Sequence, residues 1–373
     1  MLEFIRIKNF KTLLNEQFSL SQLSLFTGLN GMGKSSLIQT LLLLRQSYDK
    51  GTILNKGLLL NGDFIDLGTG KDVLSRDAEN DGILFTLKHS NDDTPQHYEF
   101  TALSNQDLMP YKKGINSNIN EALLQKTILF SQNFRYLCAD RVSPTSLHKA
   151  SEYYVNDLNS LGKNGEYAVH FIALHGKKDI PIPELKHSKS RAASLEANVN
   201  AWMSDISPNL RISATVMPQM NATQLSYSFE QGNEVTSEFK PQNVGFGLSY
   251  VLPVVTCILS AKQGDLIIIE NPESHLHPAG QSSIGKLCAL AAHNGVQLII
   301  ESHSDHFLNG IRVAVKEKIA EPEDVSIFFL ERNAKQKTHS SDVTDLKIDL
   351  NGRIDHWPKG FFDEWDNQLD KLL

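Results

Sequence analysis

The chain has 373 residues, 40% of them apolar and 21% charged, an ordinary soluble composition long enough for one large domain or two lobes. Its net charge of −7 excludes a globally basic nucleic-acid binder, so any contact with nucleic acid needs a local patch or a partner. The three cysteines, Cys138, Cys257 and Cys288, lie far apart with no C-x-x-C, which points to buried thiols in a reducing compartment rather than a disulfide frame or a zinc site.

No apolar run reaches transmembrane length. The opening MLEFIRIKNF alternates as a strand does and lacks the form of a signal peptide, so a cytoplasmic protein is expected. A second strand, QLSLF, feeds a glycine-rich turn and an apolar helix over 35–48. In that turn Gly28, Gly33, Lys34 and Ser35 match G-x-x-x-x-G-K-[ST]. The chemistry needs this spacing: small residues let backbone N–H groups wrap a phosphate, the lysine reaches the terminal phosphates and the serine hydroxyl ligates Mg2+. The helix that follows points its positive end at the same anion.

Residues 51–72 are loop-rich, and 83–88 and 97–103 read as an antiparallel strand pair across a polar loop. Residues 105–127 are polar and then helical, and TILFSQNFRYLCADRVSP reads as an apolar strand ending in Asp140, Arg141 and Pro144. An irregular, mobile insertion is expected over 145–183, a helix over 193–206, and strands at LRISATVM and QLSYSFE. From 243 onward helices alternate with apolar strands, the pattern of a parallel sheet covered on both faces.

Three more stretches carry chemistry. In LIIIENPESHLHP a buried strand ends in carboxylates, where open α/β sheets place ligands. Glu270 is placed there to hold Mg2+, directly or through water, and Asn271 or Glu273 to orient or deprotonate an attacking water. In LIIESHSDHF a second buried strand ends in Glu301, Ser302 and His303, and the histidine is placed to sense or polarise a γ-phosphate. In NVGFGLSYVLPVV, Gly245 and Gly247 open an apolar helix and let a phosphate approach the backbone. Glu273, His275 and His277 have the residue types of a metal site, but with Pro278 next they read better as a cap on the turn.

The order of these blocks resembles the ABC-type ATPases of the SMC/RecF/OLD branch. FIRIKNFKTL is similar to that branch's N-terminal strand, ENPESHLHPAGQS to its DEPExHLHP block, and ESHSDHFLNGIR to its histidine strand. DLNGRIDHWPKGFFDE resembles the tail of a bacterial family of predicted ATPases in the same branch. The resemblance spans 1–45, 130–145 and 243–365. It implies a P-loop NTPase fold: an ABC-type ATPase head with a mixed, largely parallel core sheet and an antiparallel side sheet. The head is expected over 1–145 and 243–373, and an inserted lobe over 146–242.

The resemblance further implies ATP and Mg2+ as cofactors. Asn30, Gly31, Gly33, Lys34, Ser35 and Ser36 correspond to the phosphate site, Ser35 and Glu270 to the magnesium site, and Gly245 and Gly247 to a signature that touches the γ-phosphate held by a second subunit. His303 corresponds to the switch histidine. Two departures stand out. The usual aspartate–glutamate pair is Glu270–Asn271, so an amide replaces the usual catalytic glutamate, and the signature carries Gly245 where the branch has serine. Slow hydrolysis, with Glu273 as an alternative base, is therefore expected.

The implied assembly is a homodimer clamped around ATP, or a higher even-numbered oligomer, that gates a partner effector such as a nuclease on a separate chain, in DNA-associated or anti-phage defence. A RecF-like DNA repair ATPase and a non-hydrolysing ATP-clamped scaffold are the alternatives. DNA contacts are expected, if anywhere, at Lys112, Lys113, Lys177, Lys178, Lys186, Lys189 and Arg191.

Overall fold

The computed structural model of the chain describes residues 1–90, 92, 94–112, 124–125, 127–232, 234–332 and 339–372. Contacts divide the chain into two units, one of 1–134, 325–347 and 354–373, the other of 135–324 and 348–353.

In the first unit Leu2–Phe10 puts Leu2, Ile5, Ile7 and Phe10 inside. It lies between Leu13–Ser19 and Gly82–His89, with Gln96–Thr101 beyond, all antiparallel. This is the expected side sheet. The strand Leu23–Gly28 pairs in parallel with Val325–Arg332, which pairs antiparallel with Ser341–Leu346. Phe26 stacks on Phe328 at 4.9 Å, and Phe18 meets both rings edge-on. The helix Lys34–Asp49 follows, with Leu37, Ile38 and Leu41 to Leu44 fully buried. Further on, Phe361 is buried edge-on against Phe329 at 5.4 Å, ahead of the helix Glu364–Leu372.

In the second unit Leu266–Glu270 lies between Gln297–Glu301 and the strand Phe134–Leu137, which belongs to this unit from Arg135 on. The first two are parallel and in register, which sets Glu270 beside Glu301 at their C-terminal ends. Their isoleucines are fully buried, as a strand covered on both faces requires. The helices Pro278–His293 and Asp305–Lys316 cross closely because each offers a glycine to the other. A Cβ on Gly285 would lie 2.2 Å from the Phe307 carbonyl, and one on Gly310 would lie 2.1 Å from that of Ser282. Leu210–Met217 and Ala222–Gln231 form an antiparallel pair, joined by Glu234–Val235 and Leu147–Lys149.

Several expectations change. Two strands escaped the pattern, Leu13–Ser19 and Ser341–Leu346, because their outward positions carry Asn, Glu, Gln, Asp and Thr. The apolar strand expected from 127 is only Phe134–Leu137. Before it Ile128–Phe130 is a 3-10 turn, held by Ser131 Oγ on the Ile128 carbonyl at 2.9 Å and by Asn133 N on Ser131 Oγ at 3.1 Å. The stretch 145–183, expected as irregular, contains the helix Ala168–His175. Residues 146–242 share the second unit with 243–324, where Leu195–Ile206 packs on the helix Phe246–Leu259. The expected head is divided between the units. Most of the helix expected before 127 lies outside the described residues, as does Lys113.

Candidate functional site

The phosphate-loop residues all fall in the first unit. Gly28 ends its strand at φ +137°, where a Cβ would sit 2.1 Å from the Leu330 carbonyl oxygen, so only glycine fits. Gly31 at +78° and Gly33 at +89° are also left-handed, and Gly33 is the N-cap of the helix. Successive left-handed turns aim backbone N–H groups into one concavity. No acidic residue occupies the first helical turn to neutralise its positive end. Lys34 is buried, and its Nζ donates to the carbonyls of Gly28 and Leu29, both at 2.8 Å. Its charge is therefore held inside the loop. Ser35 is half-buried at the second helical position, Ser36 is buried with its N–H on Gly33 O at 3.0 Å, and Asn30 and Gly31 are exposed. Thr12 Oγ1, which would lie 2.5 Å from a Cβ on Gly33, is buried with no protein partner among the described residues. This glycine-lined cradle, with an ammonium and an unused hydroxyl at its wall, fits a polyphosphate.

The carboxylates fall in the second unit. Glu270 Oε1 accepts from the Tyr136 hydroxyl at 2.9 Å and Oε2 from the Ala139 N–H at 3.3 Å. Burial raises its pKa, while Tyr136, Ala139 and Arg141 pull it back. Burial and the Glu270 charge keep the Tyr136 phenol protonated as a donor. Asn271 follows at φ +45°, a left-handed conformation that asparagine tolerates better than most residues, and its N–H donates to the Glu301 carbonyl at 2.8 Å. Glu273 is buried. Its Oε1 accepts the His303 N–H at 2.9 Å, and its Oε2 is buried with no protein partner among the described residues. Burial raises its pKa too, opposed by its own N–H, the His303 N–H, the Ser302 hydroxyl and Arg141. The Asn271 Oδ1 is likewise buried and unpartnered among the described residues. The His303 ring is 40% exposed, with Nε2 3.9 Å from Glu301 Oε1.

The two signature glycines differ. Gly245 is the exposed N-cap of Phe246–Leu259, with nothing within 4 Å of the point a Cβ would occupy, so its backbone is open to a ligand. Gly247 is buried, and a Cβ there would lie 2.3 Å from the His275 carbonyl, so its missing side chain serves close packing. His275 is held edge-on to Phe246 and Tyr250, at 4.9 and 4.7 Å. His277 caps the helix Pro278–His293 through its side chain. With Glu273 tied to His303, the three do not form a metal site, and no cluster of three or more metal-ligating side chains occurs among the described residues. Ser35 in the first unit carries a hydroxyl and Glu270 in the second a carboxylate, each taken by itself an oxygen donor of the hard kind that Mg2+ accepts.

Sequence reading passed over Tyr136 and Arg141. Arg141 donates to the carbonyls of Asn271, at 3.1 Å, and of Glu270. Their one signal was the charged Asp140–Arg141 pair closing an apolar strand. Cys138 nearby has its thiol pushed up to about 11, by burial first and then by Glu270, so it is neutral.

Residues 23–309 match the family model described as "AAA domain, putative AbiEii toxin, Type IV TA system", and residues 321–372 match a protein family of unknown function, DUF3696. No curated protein matches. Among solved structures, an SMC head bound to the C-winged helix domain of ScpA is 12% identical, covering 93% of this chain and 98% of its own at a TM-score of 0.52. The SMC head domain with an extended coiled coil, bound to the C-terminal domain of ScpA from Pyrococcus furiosus, is also 12% identical and covers 100% and 99% at a TM-score of 0.50. Among the described residues no helix is long and apolar enough to cross a membrane. The chain therefore belongs to this AAA family, as a P-loop ATPase with the fold of an SMC head.

Proposed function

We propose that the protein binds ATP with Mg2+ and hydrolyses it slowly, with Glu273 as the general base. The observation that carries this reading is the pair of buried oxygens on the turn after the carboxylate strand. Asn271 Oδ1 and Glu273 Oε2 both lack protein partners among the described residues. An amide cannot take a proton, whereas a carboxylate can, and burial raises the pKa of this one. Asn271 orients the attacking water, Glu273 receives its proton, and Lys34 leaves the loop carbonyls for the terminal phosphates. Ser35 and Glu270 would each offer an oxygen to Mg2+, and the ion would supply positive charge against the negative charge that develops on the phosphates. His303 and Gly245 contact the γ-phosphate, Gly245 from a second subunit. Two copies pair head to tail around ATP, and the γ-phosphate is the contact that favours the closed pair.

The family description, with its putative toxin of a toxin–antitoxin system, supports a defence role in which the closed pair gates a separate effector. A nuclease is the effector class proposed. The scaffold alternative is favoured by one observation, the amide at position 271. Steady-state ATP turnover decides between them. Hydrolysis above the Lys34→Ala background that is lost in Glu273→Gln supports the proposal. Tight ATP binding with no turnover above that background establishes the scaffold.

DNA is a weaker partner reading. Lys112 and Lys189 are spent on Glu99 and Asp205, while Lys177, Lys178, Lys186 and Arg191 are exposed. A DNA affinity that falls steeply with salt would support that patch.

A further inference from the structure

We infer that Arg141 is a positioning residue, whose guanidinium holds the turn at Glu270 and Asn271 in the shape that presents Glu273 and Asn271 to the attacking water. The inference rests on the hydrolytic reading above and adds to it a residue that acts through the backbone of Glu270 and Asn271.

Arg141 is 2% exposed. Burying a guanidinium is costly, and the cost is normally offset by a carboxylate that accepts its fork. Here the two terminal nitrogens donate to successive backbone carbonyls, those of Glu270 and Asn271. Nε is buried without a partner among the described residues. The charges of Glu270 and Glu273 act on the guanidinium as well. Two consecutive carbonyls converge on one fork only where the chain turns sharply, and Asn271 makes that turn at φ +45°. A left-handed asparagine is sparsely populated by itself and persists where its surroundings hold it. The fork on one side, and the Asn271 N–H on the Glu301 carbonyl at 2.8 Å on the other, supply that hold.

The arginine is itself mounted rigidly. Cys138 N–H donates to the Lys163 carbonyl at 2.9 Å and Val142 N–H to the Asn164 carbonyl at 3.1 Å. The Asn164 side chain donates to the Asp140 carbonyl. The loop carrying Arg141 is thus bracketed on both sides of the residue. Tyr136 and Ala139, a few positions before it, fix the Glu270 carboxylate from the same segment. Backbone and side chain of Glu270 are therefore held by one short stretch, 136–141.

Lysine keeps the charge but presents a point donor that cannot span two carbonyls as a planar fork does. Glutamine removes the charge and the fork together. The experiment compares wild type, Arg141→Lys and Arg141→Gln by hydrogen exchange of the peptide spanning 266–277, by ATP affinity, and by kcat. In Arg141→Gln the amides of 271–276 should exchange at least about tenfold faster, and kcat should fall at least about tenfold, the scale of cost for a displaced reacting group. ATP affinity should stay within about twofold, because the phosphate loop is untouched. Arg141→Lys should fall between the two on exchange and on kcat. A general structural defect would instead raise exchange throughout the chain and weaken ATP binding in step with kcat, and that result overturns the inference. Wild-type exchange and kcat in Arg141→Gln, or in Arg141→Lys should the glutamine variant fail to fold, overturns it as well. If the wild-type protein itself shows no turnover, the hydrolytic reading fails and the exchange comparison still decides whether Arg141 holds the turn.

Discussion

The His303 backbone N–H donates to Glu273 Oε1 at 2.9 Å, which ties the turn after one core strand to the second residue past the end of the next. Glu270 and Glu301 stand side by side in the same register. One oxygen of Glu273 is thus fixed by the neighbouring strand, while the other is buried with no protein partner among the described residues, the oxygen that the proposed base would use. The same bond joins the His303 backbone to the Glu273 carboxylate.

Lys34 is the first test of the phosphate loop. Its ammonium is buried on two loop carbonyls, so Lys34→Ala removes a charge that phosphates attract and a donor those carbonyls accept. ATP affinity should fall by at least about tenfold, the effect of losing one charge-assisted hydrogen bond. Equilibrium binding of a fluorescent ATP analogue checks this, and wild-type affinity would show that the lysine does not serve the phosphates.

The two signature glycines should separate cleanly. A Cβ at Gly247 meets the His275 carbonyl at 2.3 Å, so Gly247→Ala should destabilise by about 1–3 kcal/mol, the range for overpacking. Gly245 has open space around its Cβ position, so Gly245→Ala should leave stability within about 0.5 kcal/mol while lowering turnover. Urea unfolding of the two variants beside their ATPase rates reads both effects. Equal stabilities would show that the helix start is not packed as described.

Stability should depend on pH through buried imidazoles. Burial lowers the pKa of His148, His170 and His175 below the ordinary 6.5. The fold favours their neutral forms, so their contribution is complete above about 6.5 and is lost as pH falls below it, where the unfolded chain binds protons the folded chain refuses. The raised carboxyls of Glu270 and Glu273 act in the opposite sense, being relieved as they protonate. A difference measurement isolates the imidazoles. His170 Nδ1 is bonded to Thr223 Oγ1 at 2.9 Å, a bond that glutamine can replace without a titrating ring. His170→Gln should lose less Tm than wild type between about pH 7.5 and 5.5, and parallel losses would exclude His170 as a contributor.

Local chemistry was legible in the sequence where it is local in the chain. Gly28, Gly33, Lys34 and Ser35 were picked out by their spacing within one strand, turn and helix, Glu270, Asn271 and Glu273 by their place just after an apolar strand, and Asn30, Gly31 and Ser36 only by the family resemblance. Tyr136 and Arg141 were not legible in this way, because their bonds to Glu270 and Asn271 join residues far apart in the chain, 134 and 130 positions, and the charged pair closing the apolar strand does not say what it bonds. The strand Ser341–Leu346 was obscured by its polar residues, and it is fixed as a strand by pairing with Val325–Arg332. Gly247 carried the right residue type for a phosphate approach, but only the position of the His275 carbonyl reveals that packing claims it. What the sequence conveyed about the amide at 271 was its chemistry; that its backbone is left-handed and clasped by a buried arginine is a property of the folded chain.

The central claim is that Glu273, and not the residue at 271, is the base for ATP hydrolysis. Its most direct test is the steady-state ATPase rate of Glu273→Gln beside wild type and Lys34→Ala, with ATP binding measured on the same samples. Wild-type turnover is expected above the Lys34→Ala background, with a fall in Glu273→Gln of about a hundredfold, the scale of general-base catalysis, and ATP still bound. Turnover in Glu273→Gln equal to wild type would contradict it.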